Sequence, residues 1–87
     1  MHLTIEEIRA TGKVDELLGD GSYRLKPPVV LTCLKEGIYP RGIGVAFRVG
    51  DVVSAHAFYD ERGEYPHHVH LPELGFNWPF DHFEIKI

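Results

Sequence analysis

The spacing of hydrophobic positions changes character near Tyr23. Before it, Leu3-Thr4-Ile5-Glu6-Glu7-Ile8 reads as a helix start. Thr4 suits the N-cap, and Glu7 three residues on completes a capping box. Leu3 and Ile8 occupy the two positions of a hydrophobic staple. Gly12 suits the C-terminal end, so the pattern predicts a helix over 5–10. Val14-Asp15-Glu16-Leu17-Leu18 predicts a second helical turn, closed by Gly19-Asp20-Gly21. Two tandem helices suggest a helix-turn-helix. Asp15 and Glu16 oppose that reading, because a recognition helix wants basic and amide side chains there.

From Tyr23 onward the pattern is β. Pro27-Pro28 blocks helix, and Val29 to Leu34 reads as a mostly buried strand. Gly37 to Gly42 is a loop. Ile43 to Val49 alternates large and small residues, as a strand with one packed face does. Gly50-Asp51 predicts a two-residue hairpin turn into a return strand over 52–60. That turn would pair Val49 with Val52 and Val45 with His56. Glu61 to Glu64 makes a second turn, and Tyr65 to Leu71 a further strand, with Pro66 marking it as an edge. Pro72 to Pro79 reads as a loop rich in glycine and aromatics. Phe80 to Ile87 alternates, with Asp81, Phe83, Ile85 and Ile87 on one face. The sum is one α+β domain spanning 1–87: a short N-terminal helical segment packed on a four- to five-stranded antiparallel sheet or half-barrel.

Composition fits a small globule. The hydrophobic fraction is 44% of 87 residues, so a single modest core is expected. No apolar run reaches the ~20 residues of a membrane span, and no basic-then-apolar leader opens the chain. With one cysteine, Cys33, an internal disulfide is excluded, which fits a reducing, cytoplasmic setting. Cys33 lies within an apolar strand and reads as an inert buried thiol. Charge is uneven. Residues 1–50 carry seven Lys/Arg and six Asp/Glu, whereas 51–87 carry two and seven. The acidic half argues against DNA, whose binding needs clustered Lys/Arg. Arg24, Lys26, Arg41 and Arg48 are spread through the other half and read as a solvated face.

Candidate chemistry gathers in Pro66-His67-His68-Val69-His70. A His-x-His step on a strand points two imidazoles the same way, which is metal-ligand geometry. The hairpin register decides what joins them. With residue 56 opposite 68, His56, His68 and His70 share a face and offer Zn²⁺ or another divalent metal three ligands and an open position. With residue 56 opposite 69, Val69 and Leu71 turn inward with His67, and His68 and His70 turn outward. The second register buries more apolar surface, worth ~3–5 kcal/mol for Val69 and Leu71 together. Gly63, His68, His70 and Glu73 only partly match a cupin half-motif; the Glu comes one residue early and no second His motif follows. Phe76, Trp78 and Phe80 suggest an aromatic anchor for a homodimer or a dedicated protein partner; a core plug at one end of the sheet accounts for them equally.

Residues 58–71, with Tyr59-Asp60 after a strand, a short turn and His67-His68-x-His70, resemble part of the toxin components of TumE-type toxin–antitoxin pairs. The resemblance implies a small α+β protein that works with an antitoxin and acts on nucleic acid or translation. It maps Tyr59, Asp60, His68 and His70 as candidate catalytic residues. Glu61 stands where the family has Asn, and an acidic strand follows where those toxins carry a helix. Two functions are therefore expected to compete. One is a small binding or regulatory protein acting through a protein or RNA partner. The other is a metal- or histidine-dependent enzyme centred on His56, His68 and His70.

Overall fold

Helix α1 spans Ile5–Ala10, and the local code that starts it is fully formed. The Thr4 hydroxyl accepts from the Glu7 N–H at 3.2 Å, and the Glu7 carboxylate accepts from the Thr4 N–H at 3.0 Å. Leu3 and Ile8 are both buried, so the staple packs into the core rather than on a surface. The computed structural model describes all of residues 1–87, and eight strands follow this helix.

The segment expected as a second helical turn is instead strand β1 (Val14–Leu17), antiparallel to β2 (Tyr23–Cys33). The Leu18–Ser22 turn explains the difference. Asp20 accepts from the Ser22 N–H at 2.9 Å and the Ser22 hydroxyl at 2.6 Å, and Leu18 N–H donates to Ser22 O at 2.7 Å. This Asx turn closes a hairpin, which overrides the weak helical pattern of four residues.

The main sheet is six-stranded. β5 (Val52–Tyr59) pairs with β2, β6 (His68–Leu71) with β5, and β7 (Phe76–Pro79) with β6, all antiparallel. β8 (Phe83–Ile85) pairs with the end of β2. The strand count exceeds the four or five expected, because the 14–17 and 72–79 segments supply β1 and β7. A separate two-stranded ribbon joins β3 (Gly37–Ile38) to β4 (Val45–Phe47).

β4 therefore does not pair with β5, contrary to the predicted hairpin. Gly50-Asp51 is still a turn, with Asp51 N–H donating to Arg48 O at 3.0 Å. Its backbone bonds, however, run to Cys33 at the end of β2. β2 is the longest strand, and it takes β5 along residues 29–32. β4 instead folds over the sheet and inserts Phe47 into the core. Gly37 makes that insertion feasible: a Cβ there would collide with the Phe47 ring.

β2 passes through Pro27-Pro28 by lapsing from its ladder. Its register with β5 moves from Arg24↔Ala57 to Val29↔Ala55. Leu25 to Pro28 thus stand against His56 alone, so neither proline is asked for a cross-strand N–H there. Opposite this irregularity the inward position on β5 changes from Ala55 to Phe58, while His56 is exposed. The core holds Leu3, Ile5 and Ile8 from the N-terminal segment, Val29, Leu31 and Cys33 from β2, and Val69 and Leu71 from β6. Phe47, Phe58, Trp78, Phe80 and Phe83 complete its larger part. No helix is long and apolar enough to cross a membrane.

Candidate functional site

The β5–β6 register fixes the histidines. Ala57 pairs with His70, Phe58 with Val69 and Tyr59 with His68. Both expected registers slide, since eight residues separate the strands rather than four. The face assignment of the second register nonetheless holds. Val69 and Leu71 are buried, and His68 and His70 lie on the opposite face at half-buried positions. His67 departs from it: the residue is exposed and left-handed, at φ 58°, where it turns the chain into β6.

His68 and His70 share their face with Ala57 and Tyr59 on β5 and with Asn77 and Pro79 on β7. His70 Nδ1 lies 3.0 Å from Asn77 Oδ1, and His68 Nδ1 lies 2.8 Å from Pro66 O. A carbonyl oxygen only accepts, so each neutral ring carries its proton on Nδ1 and leaves Nε2 as a free acceptor. The pair can accept protons or hydrogen bonds side by side. The expected third ligand is not with them. His56 precedes the first residue of β5 that pairs with β6, lies opposite the β2 irregularity and is exposed. No three His, Cys, Asp or Glu side chains converge as a metal-binding group anywhere in the chain. The trio His56, His68 and His70 expected for Zn²⁺ therefore does not form a three-ligand group.

Tyr59 and Asp60, the other residues mapped by the toxin resemblance, are engaged in structure. Tyr59 is buried, and its hydroxyl donates to Asp20 Oδ2 at 3.2 Å. Burial, followed by that bond to a carboxylate, pushes the phenol above its usual range. Its ring meets Tyr65 edge-on at 5.6 Å and covers Gly63, where a Cβ would have no room. Asp60 is buried, accepts from the Arg62 N–H at 2.9 Å and lies 3.9 Å from Arg9. These contacts build the Asp60–His67 loop that sets the hairpin register.

Of the aromatic anchor, only Phe76 reaches solvent. Trp78 is 7% exposed and Phe80 3%. Trp78 packs edge-on against Phe47 at 4.9 Å and beside Tyr39 at 6.2 Å. The 76–80 segment pairs with β6, so alternation sends Trp78 inward beside Val69, and a small core consumes it.

Two features escaped the sequence pattern. The first is a surface formed by the β3–β4 ribbon and its flanking turns. Ile38 is 57% exposed, Ile43 74%, Val45 40% and Val49 68%. Ile38 and Val45 are cross-strand partners. Arg41 and Arg48 are interspersed, and neither side chain has an ion-pair partner, whereas Arg24 pairs with Glu16 at 2.7 Å. Phe76 lies against the same ribbon through Tyr39, at 5.5 Å. The legible signal was a twelve-residue run, 38–49, with two arginines and no acid in a net-acidic chain. The second is an open cleft of about 410 Å³ lined by His2, Thr4, Glu6, His67, His68 and Asp81, among others. It joins residues distant in sequence, so no local motif announces it.

Comparison with known proteins adds no assignment: no protein-family model, curated protein or solved structure matches the chain.

Proposed function

We propose that this chain is a small binding or regulatory protein that works through a protein partner seated on the β3–β4 face. In keeping with the local resemblance over residues 58–71, the proposed biological setting is a toxin–antitoxin pair. One observation carries the reading: Ile38, Ile43, Val45 and Val49 stand in water around two unpaired arginines. Exposed apolar residues are common singly, but several on one ribbon suit an interface. Fully burying one Ile or Val side chain is worth ~1.5–3 kcal/mol, and these are already partly covered, so each would contribute less on docking. Arginine between aliphatics selects a partner that brings carboxylates to the same surface. A standard interface takes about 800 Å² from each side, roughly a seventh of the 5334 Å² available here.

Co-expression with the product of the neighbouring gene tests this reading. The expected result is a stable complex by size-exclusion chromatography with light scattering. Ile43→Asp and Arg41→Glu should each dissociate it while leaving the circular dichroism of the chain unchanged. A chain that elutes alone, or a complex indifferent to both substitutions, overturns the proposal. RNA retention that survives in Ile43→Asp would instead support the RNA-directed reading.

A further inference from the structure

The cleft between the N-terminal segment and the β6–β7 end of the sheet is a second surface, independent of the ribbon. Residues 2–6 form one wall, the Pro66–His68 turn another, and Pro79–Asp81 the third. Its volume of about 410 Å³ falls in the range of small-ligand sites, roughly 300–1,000 Å³. Leu3, Ile5 and Phe80 line it and are themselves buried, which makes an apolar floor.

The side chains of the rim offer mainly acceptors. His2 Nδ1 lies 2.9 Å from Leu3 O, and His68 Nδ1 lies 2.8 Å from Pro66 O. Each neutral ring therefore spends its proton on a backbone carbonyl and keeps Nε2 as an acceptor. Glu6 has no ion-pair or hydrogen-bond partner. Asp81 is held by Lys35 at 2.9 Å and His82 at 2.8 Å. No Lys or Arg lines the cleft. The Thr4 hydroxyl already donates to Glu7 at 3.2 Å. His67 holds an exposed ring there, packed edge-on against Phe80 at 5.7 Å.

An apolar floor under an acceptor-rich, acidic rim selects a ligand that brings its own donors and positive charge. We propose that the cleft binds a small organic cation: a primary ammonium carried on a short apolar body. An anion would meet the unpaired Glu6 carboxylate, with no Lys or Arg in the lining to offset it. A chelated metal lacks three converging ligands.

The test uses the full chain and two probes of equal size, phenethylamine and 3-phenylpropionate, followed by NMR of the imidazole protons. At pH 7.5 the amine should shift His2, His67 and His68 saturably, with little change at His56, and the carboxylate should shift none of them. Glu6→Gln should weaken the amine at least fivefold, with folding confirmed by circular dichroism. Tighter binding of the carboxylate, amine shifts scattered over the surface, or no saturation below 10 mM (roughly the weak limit of specific affinity) would overturn the proposal. So would an amine response unchanged in Glu6→Gln.

Discussion

Replacing Trp78 distinguishes a core residue from an interface anchor. Its indole is 7% exposed and packs with Phe47 at 4.9 Å, Tyr39 at 6.2 Å and Phe76 at 6.3 Å. Truncating such a ring to alanine removes its burial and leaves a cavity, at about 3–5 kcal/mol. Domains of this size hold roughly 4–13 kcal/mol in total, from ~0.05–0.15 kcal/mol per residue. Trp78→Ala should therefore lose from about a quarter to all of the domain's stability. Trp78→Phe provides the internal control. It keeps an aromatic ring and removes an indole N–H that is buried with no partner. An unpaired buried donor costs about 1–3 kcal/mol, which offsets part of the volume lost. Trp78→Phe should thus stay within ~1.5 kcal/mol of the wild type. Urea unfolding followed by far-ultraviolet circular dichroism measures both, because that signal does not depend on the tryptophan. An alanine variant within ~1 kcal/mol of wild type would refute the core assignment. A phenylalanine variant as damaged as the alanine one would refute the argument about the donor.

The capping box makes Thr4→Ala cost ~0.5–2 kcal/mol, read as a shift in the urea midpoint; an unchanged midpoint would contradict it. Burial pushes the Cys33 thiol up to about 11, so Ellman's reagent at pH 8 should react only as fast as the protein unfolds. Rapid labelling of the native state would contradict that placement. The Lys35 ammonium, and then His82, hold the Asp81 carboxyl below its usual range. Its folded-state value lies below its unfolded one, so its contribution is present above pH ~4 and fades as the pH falls through the folded value. Being half exposed, the pair is worth at most ~1 kcal/mol, and Asp81→Asn should remove that increment at pH 6 and progressively less of it as the pH falls below 4.

Local chemistry was legible wherever it decided the conformation alone. Thr4 with Glu7 specifies a cap, and Val69 and Leu71 alternating with His68 and His70 specify two faces, whatever the register. Pairing was less legible, because it depends on competition among strands. Val45-Ala46-Phe47 and Val52 to Tyr59 flank a good turn, yet β2 and β3 take them separately. The helical reading of Val14 to Leu18 failed for a related reason. Asp20 and Ser22 close a turn that so short and weak a helical pattern cannot resist. The histidine trio was not legible because the irregularity in β2 interrupts alternation on β5 beside His56, between inward Ala55 and inward Phe58, so the face of His56 could not be read from spacing. The acid-free 38–49 run marked the ribbon, but the exposure of its aliphatics could not be read until β4 was known to leave β5. On a β4–β5 hairpin, Val45 would have faced the core.

The central claim is that the β3–β4 ribbon is where this protein meets a partner. Hydrogen–deuterium exchange of the free chain and of its complex with the neighbouring gene product tests it most directly. The account predicts added protection across residues 37–49 and at Phe76, with the Tyr59–His68–His70 face unchanged. Protection confined to that histidine face, with residues 37–49 exchanging as in the free chain, would contradict it.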